Sequence, residues 1–442
     1  MYGLFLCKFS LGDNMTTLII VFLCIALMIF SLFFFPKIKI GKVTLDTYYL
    51  ITLTGALLLI ILGKISGAEM KEIFFCDNGM NPVKIIILFL SMAFLSIFLD
   101  KVGFFSYLAT KASMKFESNQ ISLFLALFIL ISILTVFTSN DIIILTFTPF
   151  ICYFCKHTKI NPMPYLIGEF FAANTLSMTL IIGNPTNIYI ASNAGITFFE
   201  YFKEMALIGF AAALLLCVLL VIVFKKSLSS PIEAIDETAH IESKFLLVTG
   251  LVHLLACTVL MAISNYIHIE MYLVSLAFAI SLIVITLIYC LIKGEKLTYI
   301  KKSIRELPFP FIPFLTSMVV LITCLNGTSI ISSFSNLLAS TKSPFVYGIS
   351  SFIFGNLLNN IPMSILYSEL FSASLVSSDI IYAVIASSNL CALLTPLGSL
   401  AGMMFINLIK QQEISISFGK FMKYGIIGIV LIAFTLTLTV II

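Results

Sequence analysis

Charged residues in this chain fall in short clusters, and the stretches between them are apolar for about 20 residues at a time, the length a helix needs to cross the hydrocarbon core of a bilayer. Such runs cannot all be hidden inside one soluble globule. Sixty per cent of the residues are hydrophobic and 10% are charged, where soluble domains carry about 25% charged residues. Mean hydropathy is +1.13. Lipid is therefore the expected solvent, and helices are the expected elements, because a helix pairs its own backbone groups where no water can. The expected fold class is an all-α polytopic membrane protein.

Composition also narrows the function classes. The net charge of +4 is small, and no basic helix interleaved with aromatics points to nucleic acid. The cysteines are scattered, and most lie inside apolar runs, where Cys acts as a small hydrophobe. Cys152 and Cys155 share a helix face but have no His or Cys cluster around them. Neither a metal-ligand spacing nor a Ser-His or HExxH arrangement is present, so no catalytic residue, metal or cofactor is expected. Nothing at the N-terminus reads as a cleaved signal, since the first apolar run, Thr16 to Phe35, is long enough to remain as a span.

The pattern predicts about 11 transmembrane helices plus two re-entrant hairpins. An extra helix within 1–42 precedes a first repeat over 43–224. A polar linker over 225–244 leads to a second repeat over 245–442. The predicted hairpins are 121–156, interrupted at Thr138-Ser139-Asn140-Asp141, and 345–376, interrupted at Asn359-Asn360-Ile361-Pro362. Two further segments, 162–199 and 379–410, are broken at Gly183-Asn184-Pro185-Thr186-Asn187 and Thr395-Pro396-Leu397-Gly398-Ser399. With the N-terminus outside a plasma membrane, 19 of the 25 basic residues face the cytoplasm, as the positive-inside rule requires. That bias arises only if both hairpins return to the side they entered from.

The halves resemble each other. Ser139-Asn140-Asp141 corresponds to Asn359-Asn360-Ile361, and Asn174 to Asn389, each followed nine residues later by a glycine, Gly183 or Gly398. An odd number of crossings per copy sets the copies in opposite orientation, the inverted-topology plan of secondary transporters.

The paired interruptions are the expected site. A break frees backbone groups that hydrocarbon cannot satisfy, and it turns helix N-termini towards the gap, where they attract anions. The candidate residues for substrate and ion are Ser139, Asn140, Asp141, Asn174, Gly183, Asn184, Pro185, Thr186, Asn187, Asn359, Asn360, Asn389, Thr395, Pro396, Gly398 and Ser399. Asp141 is singled out because a carboxylate at membrane depth is costly and functional by default. It can exchange a proton or hold a cation, and it also suits a helix N-cap. Glu169 is a second, weaker candidate for coupling.

These stretches resemble the arsenical pump membrane protein family, the arsenite-efflux permeases of the ion-transporter superfamily. The resemblance spans about residues 84 to 440 and rests on Phe98-Leu99-Asp100-Lys101-Val102-Gly103, on Thr138-Ser139-Asn140-Asp141 with Leu145 and Thr148-Pro149, and on Leu358-Asn359-Asn360-Ile361-Pro362. Leu394-Thr395-Pro396-Leu397-Gly398-Ser399-Leu400-Ala401 is its most specific part. It implies two inverted repeats, each with a hairpin and a discontinuous helix, and a secondary active permease of a small anion or weakly acidic oxyanion. Arsenite or antimonite efflux coupled to protons by alternating access is the implied activity. The alternatives are a di- or tricarboxylate or inorganic-anion symporter and a sodium/proton antiporter. The resemblance further implies a homodimer and, in some members, an ATPase subunit. Two departures stand out. The first break reads Gly183-Asn184-Pro185-Thr186-Asn187, where arsenite pumps tend towards Ser-Asn-Leu-Val-Asn, and Asn174 stands where they often carry Asp.

Overall fold

The computed structural model describes residues 11–35, 37–40, 43–75, 81–115, 119–229, 241, 243–264, 267–325, 328–373 and 376–441. The first half holds α1 (Leu11–Phe34), a hairpin of β1 (Lys37–Ile40) and β2 (Val43–Asp46), α2 (Thr47–Ile61) and α3 (Gly67–Phe75). It continues with α4 (Pro82–Lys101), α5 (Phe104–Lys115), α6 (Gln120–Phe137), α7 (Asn140–His157), α8 (Met163–Leu176), α9 (Pro185–Asn193) and α10 (Phe198–Phe224). The second half holds α11 (Lys244–Ala262), α12 (Met271–Lys293), α13 (Thr298–Arg305), α14 (Phe311–Thr323) and α15 (Ser329–Thr341). After these come α16 (Pro344–Leu358), α17 (Asn360–Ala373), α18 (Ser378–Leu394), α19 (Leu400–Gln411) and α20 (Phe418–Ile441). Six described helices are long and apolar enough to span a membrane, and five shorter ones are also apolar. The chain is a polytopic membrane protein.

Helix starts follow local chemistry. Asn81 accepts from the N–H groups of Val83 and Lys84 at the start of α4, and Thr197 with Glu200 closes a capping box on α10. On α10 and α12, Leu214 and Leu291 are each 70% exposed, while Leu220 and Leu282 are sealed. One stripe of each helix therefore meets lipid and the other meets protein. Two long segments are sealed throughout: every residue of α8 is buried, and so is Ile380–Leu393 of α18. They are the axis of the molecule.

Packing pairs the halves element by element. α1 lies on α2 as α11 lies on α12, and α2 packs on α14 as α12 packs on α4. α6 and α10 flank α8 as α16 and α20 flank α18. α7 meets α19 as α17 meets α9. The second arm of each hairpin thus rests on the broken helix of the opposite half.

Three short elements lie outside the layout expected from sequence: the β1–β2 hairpin, α3 and α13. Each is too short or too polar to give a membrane-span signal. α13 declares itself only by burying Ile300 and Ser303 while its lysines face out. Asp141 is not an N-cap. Ser139 takes that position, without a side-chain cap bond, and Asp141 lies in the first turn of α7. The expected linker is described at 225–229, 241 and 243–244. Its remainder lies outside the described residues.

At the breaks, α8 gives way to a tight turn at Ile181–Gly183 before α9, and α18 to one at Pro396–Gly398 before α19. A Cβ on Gly183 would stand 2.2 Å from the Ser177 carbonyl oxygen, and one on Gly398 2.7 Å from the Ala392 nitrogen. Both neighbours are backbone and cannot swing away. Gly183→Ala should lower stability by about 2 kcal/mol, read as a lower melting temperature in detergent. Gly67→Ala, where nothing lies within 4 Å, should leave that temperature nearly unchanged.

Candidate functional site

Both hairpin tips are buried, and each is tied to an axial helix. At the first tip Thr138 Oγ1 donates to Leu134 O at 2.9 Å, which ends α6, and the extended backbone at Ser139 starts α7. Asn140 Nδ2 donates to Asn174 Oδ1 on α8 at 3.1 Å. At the second tip Asn359 sits at φ 80° and ψ 153°, a region that side chains other than glycine's rarely occupy. Its amide compensates: Nδ2 donates to Leu397 O at 3.0 Å and Oδ1 accepts from Ile361 N at 3.3 Å. Asn360 Nδ2 donates to Ser388 O on α18 at 3.2 Å.

The two broken helices meet through a polar hub at Asn389. Its Oδ1 accepts from Ser177 Oγ at 2.8 Å and from Asn184 Nδ2 at 2.9 Å, and its Nδ2 donates to Asn187 Oδ1 at 2.7 Å. Asn187 Nδ2 in turn donates to the carbonyl of Ser177, just past the end of α8, and to that of Leu180, which also accepts from Gly183 N. Thr186 and Ser388 share a hydroxyl contact of 3.1 Å. Asn184 Oδ1 caps α9 through Thr186 N, and Ser399 Oγ caps α19 through Gly402 N.

A cavity of about 270 Å³ opens between these parts. Its inner wall includes Asn140 and Asp141, Asn184 and Pro185, Asn360 and Ile361, and Ser399 and Leu400. These pairs are the N-termini of α7, α9, α17 and α19. Four helix starts, two from each half, therefore turn their partly positive ends on one space. The Asp141 side chain lines it with no hydrogen-bond or ion-pair partner among the described residues. Ser139 Oγ and Asn140 Oδ1 are buried and unpartnered in the same tip. The charged lining residues Lys37, Asp46 and Glu306 come from β1, β2 and the segment after α13, at the mouth.

Of the residues expected from sequence, Asn140, Asp141, Asn184, Pro185, Asn360 and Ser399 line this cavity. Asn174, Thr186, Asn187 and Asn389 form the layer behind them. Gly183, Pro396 and Gly398 shape the turns, Ser139 caps the first tip and Asn359 braces the second. Thr395 faces elsewhere, donating to Asn356 Oδ1 at 2.7 Å. Sequence reasoning missed Ser177 and Ser388, the mouth residues, and the wall that α19 contributes through Met403, Met404 and Asn407. The α19 residues could have been found from Ser399, because Met403 and Asn407 follow it at helical spacing on one face.

Residues 47–379 match the sequence profile of a family described as Citrate transporter. Among curated proteins, the chain is 25% identical to the arsenical pump membrane protein of Escherichia coli (strain K12) over 361 residues, covering 77% of this chain and 81% of that protein. It is 24% identical to the 46 kDa membrane protein of Mycobacterium leprae over 397 residues, covering 85% and 89% respectively. The resemblance to arsenical pump membrane proteins read from the motifs is thus borne out across most of the chain. Among solved structures, the Alcanivorax borkumensis YdaH transporter aligns with a TM-score of 0.56 at 12% identity, over 97% of this chain and 98% of that one. That likeness shows the fold: a membrane-transporter architecture.

Asn389→Leu should leave Ser177, Asn184 and Asn187 each short of a buried partner, at about 1–3 kcal/mol apiece. A clear drop in detergent melting temperature is expected. Thr54→Ala, which removes an exposed hydroxyl bond to Leu50 O, should change it little.

Proposed function

We propose that this chain, which belongs to the citrate transporter family, exports a small weakly acidic solute of the arsenite or antimonite type in exchange for protons, by alternating access. One observation carries the reading: four helix N-termini surround a cavity whose inner wall bears a single carboxylate, Asp141, and no Lys or Arg.

The chemistry follows from that wall. Undissociated arsenite and antimonite are neutral and present hydroxyl groups that both donate and accept. Helix-start N–H groups and the amides of Asn140, Asn184 and Asn360 donate to the solute oxygens. The Asp141 carboxylate accepts from a solute hydroxyl. A proton on Asp141 removes that acceptor, so proton and solute compete for one site, and competition for one site is what an antiporter needs. An ionised tricarboxylate offers acceptors alone and would meet like charge at Asp141. Met403 and Met404 add polarisable thioethers to the α19 wall.

Orientation follows from charge. Lys37, at the cavity mouth, and the lysines of α13 lie in the strongly basic set of loops, which the positive-inside rule assigns to the cytoplasm. On that assignment the chain's N-terminus is outside a plasma membrane, and this conformation opens inward, ready to load solute from the cytoplasm.

The family match favours a second reading, uptake of a di- or tricarboxylate. There Asp141 would carry its proton in together with the anion, and the helix N-termini would hold the carboxylates.

Proteoliposomes distinguish the readings. Flux of arsenite, antimonite, citrate, succinate and sulfate is measured under imposed proton or sodium gradients. Antimonite or arsenite flux driven by protons is expected, with apparent affinity weakening as pH falls on the loading side. Asp141→Asn should cut gradient-driven flux by about 10-fold or more while the protein stays folded. Citrate or succinate flux that strengthens as pH falls would select the second reading. Unchanged flux in the variant would remove Asp141 from the mechanism.

A further inference from the structure

Among the described residues one acid is fully sealed, and it lies outside the cavity. Glu169 on α8 is 1% exposed. Its described side-chain partner is Thr148 on α7, whose Oγ1 lies 2.9 Å from one carboxyl oxygen and 3.0 Å from the other. Thr148 is itself sealed. Among the described residues no Lys, Arg or His lies within ion-pair distance of Glu169.

Ionisable groups on the surrounding helices do not supply the missing charge. On α7, Cys152 lies within electrostatic reach of Glu169, Cys155 lies beyond it, and Lys156, exposed in the last turn, makes no described ion pair with Glu169. α6 carries no ionisable side chain. On α10, Glu200 is held in its capping box, Tyr201 donates to Met178 O, and Lys203 faces Glu204. Cys217 completes that helix, and α18 adds Asp379, Tyr382 and Cys391. On α19 and α20, Lys410, Lys420, Lys423 and Tyr424 make no ion pair or hydrogen bond with Glu169. Tyr165, one turn earlier on α8, donates to Gln120.

An ionised carboxylate sealed among apolar groups, with a single hydroxyl to solvate it, costs several kcal/mol. The same carboxyl bearing a proton is neutral and fits this seam. From these contacts we infer that Glu169 is a second proton-binding site, separate from Asp141 and occupied by a proton when α7 is seated on α8 as it is here. This deepens the exchange proposed above and rests on it for its role in transport, although the occupancy itself does not.

The location gives the site a way to sense conformation. α7 is the second arm of the first hairpin, and it is tied to α8 at two levels: Asn140 to Asn174 beside the cavity, and Thr148 to Glu169 further along. Glu169 lies six residues into α8, about 9 Å of helix rise from its start. Movement of the arm off α8 breaks the Thr148 contact and admits water. The Glu169 O–H bond then breaks, the proton passes to water, and the carboxylate becomes solvated. Reseating the arm requires a proton to return. The second half has no equivalent: in the register that aligns Asn174 with Asn389, Glu169 falls opposite Val384.

Infrared spectroscopy and transport test this together on the full-length protein. A protonated-carboxyl C=O band is expected at neutral pH in wild type, retained in Asp141→Asn and lost in Glu169→Gln. With antimonite as probe in proteoliposomes, Glu169→Gln should lower proton-driven accumulation by about 10-fold. Antimonite exchange without a gradient should stay within about 2-fold of wild type. Thr148→Val, which removes the donor and keeps the acid, should shift the pH at which the band disappears and guards against a misfolded Glu169→Gln. A band that survives in Glu169→Gln, or is missing from wild type, overturns the inference. So does a wild-type pH profile for Glu169→Gln flux. If wild type itself shows no proton-driven antimonite flux, the exchange reading fails, and the infrared result still decides whether Glu169 holds a proton.

Discussion

Everything in this structure answers to one rule: a peptide group placed in hydrocarbon must find a partner. Where α8 and α18 break, several carbonyls lose their intrahelical donors, and side-chain amides take over. Asn187 donates to the carbonyl of Ser177 and Asn359 to that of Leu397. The asparagines are thus spare backbone, placed where the backbone has been cut. Their other atoms knit the two halves together through Asn389 or face the cavity, so the residues that make the breaks tolerable also furnish the polar wall.

The two halves match in architecture but not in charge. The second arm of each hairpin rests on the opposite broken helix, and each break turns on a glycine pressed against backbone. Yet Asp141 corresponds to Ile361 when the hairpin tips are aligned, and Glu169 to Val384 when Asn174 is aligned with Asn389. The acid of the cavity wall and the sealed acid on the seam between α7 and α8 both belong to the first half. Symmetry supplies two related conformations, and on the exchange proposed above these two acids are where protons would bias which one is adopted.

Much of this was legible in the sequence, for a physical reason. Apolar length reports a span, and Gly, Pro and Asn inside such a length report a break, because lipid leaves few alternatives. Asn140, Asn187, Asn360 and Ser399 could be named as neighbours before any coordinates because they stand at repeat-related breaks; Asn187 lies in the layer behind the wall, which Asn184 lines instead. What stayed hidden was whatever lipid does not constrain. The β1–β2 hairpin and α13 lie at the edge of the apolar layer and carry no span-length signal. Ser177 and Ser388 look like ordinary small residues in helices, and only the convergence of α8 with α18 gives them partners. Thr148 and Glu169 stand 21 residues apart, and no local pattern links them. Their contact depends on the angle at which α7 returns along α8.

The central claim is spatial: the four interruptions enclose the place where solute binds. Antimony scatters X-rays anomalously, so a crystal of the protein grown with antimonite tests the claim directly. The expected result is an anomalous peak inside the cavity, within contact distance of Asp141 and bounded by Asn140, Asn184, Asn360 and Ser399. A peak elsewhere in the protein, with this cavity vacant at saturating antimonite, would contradict it.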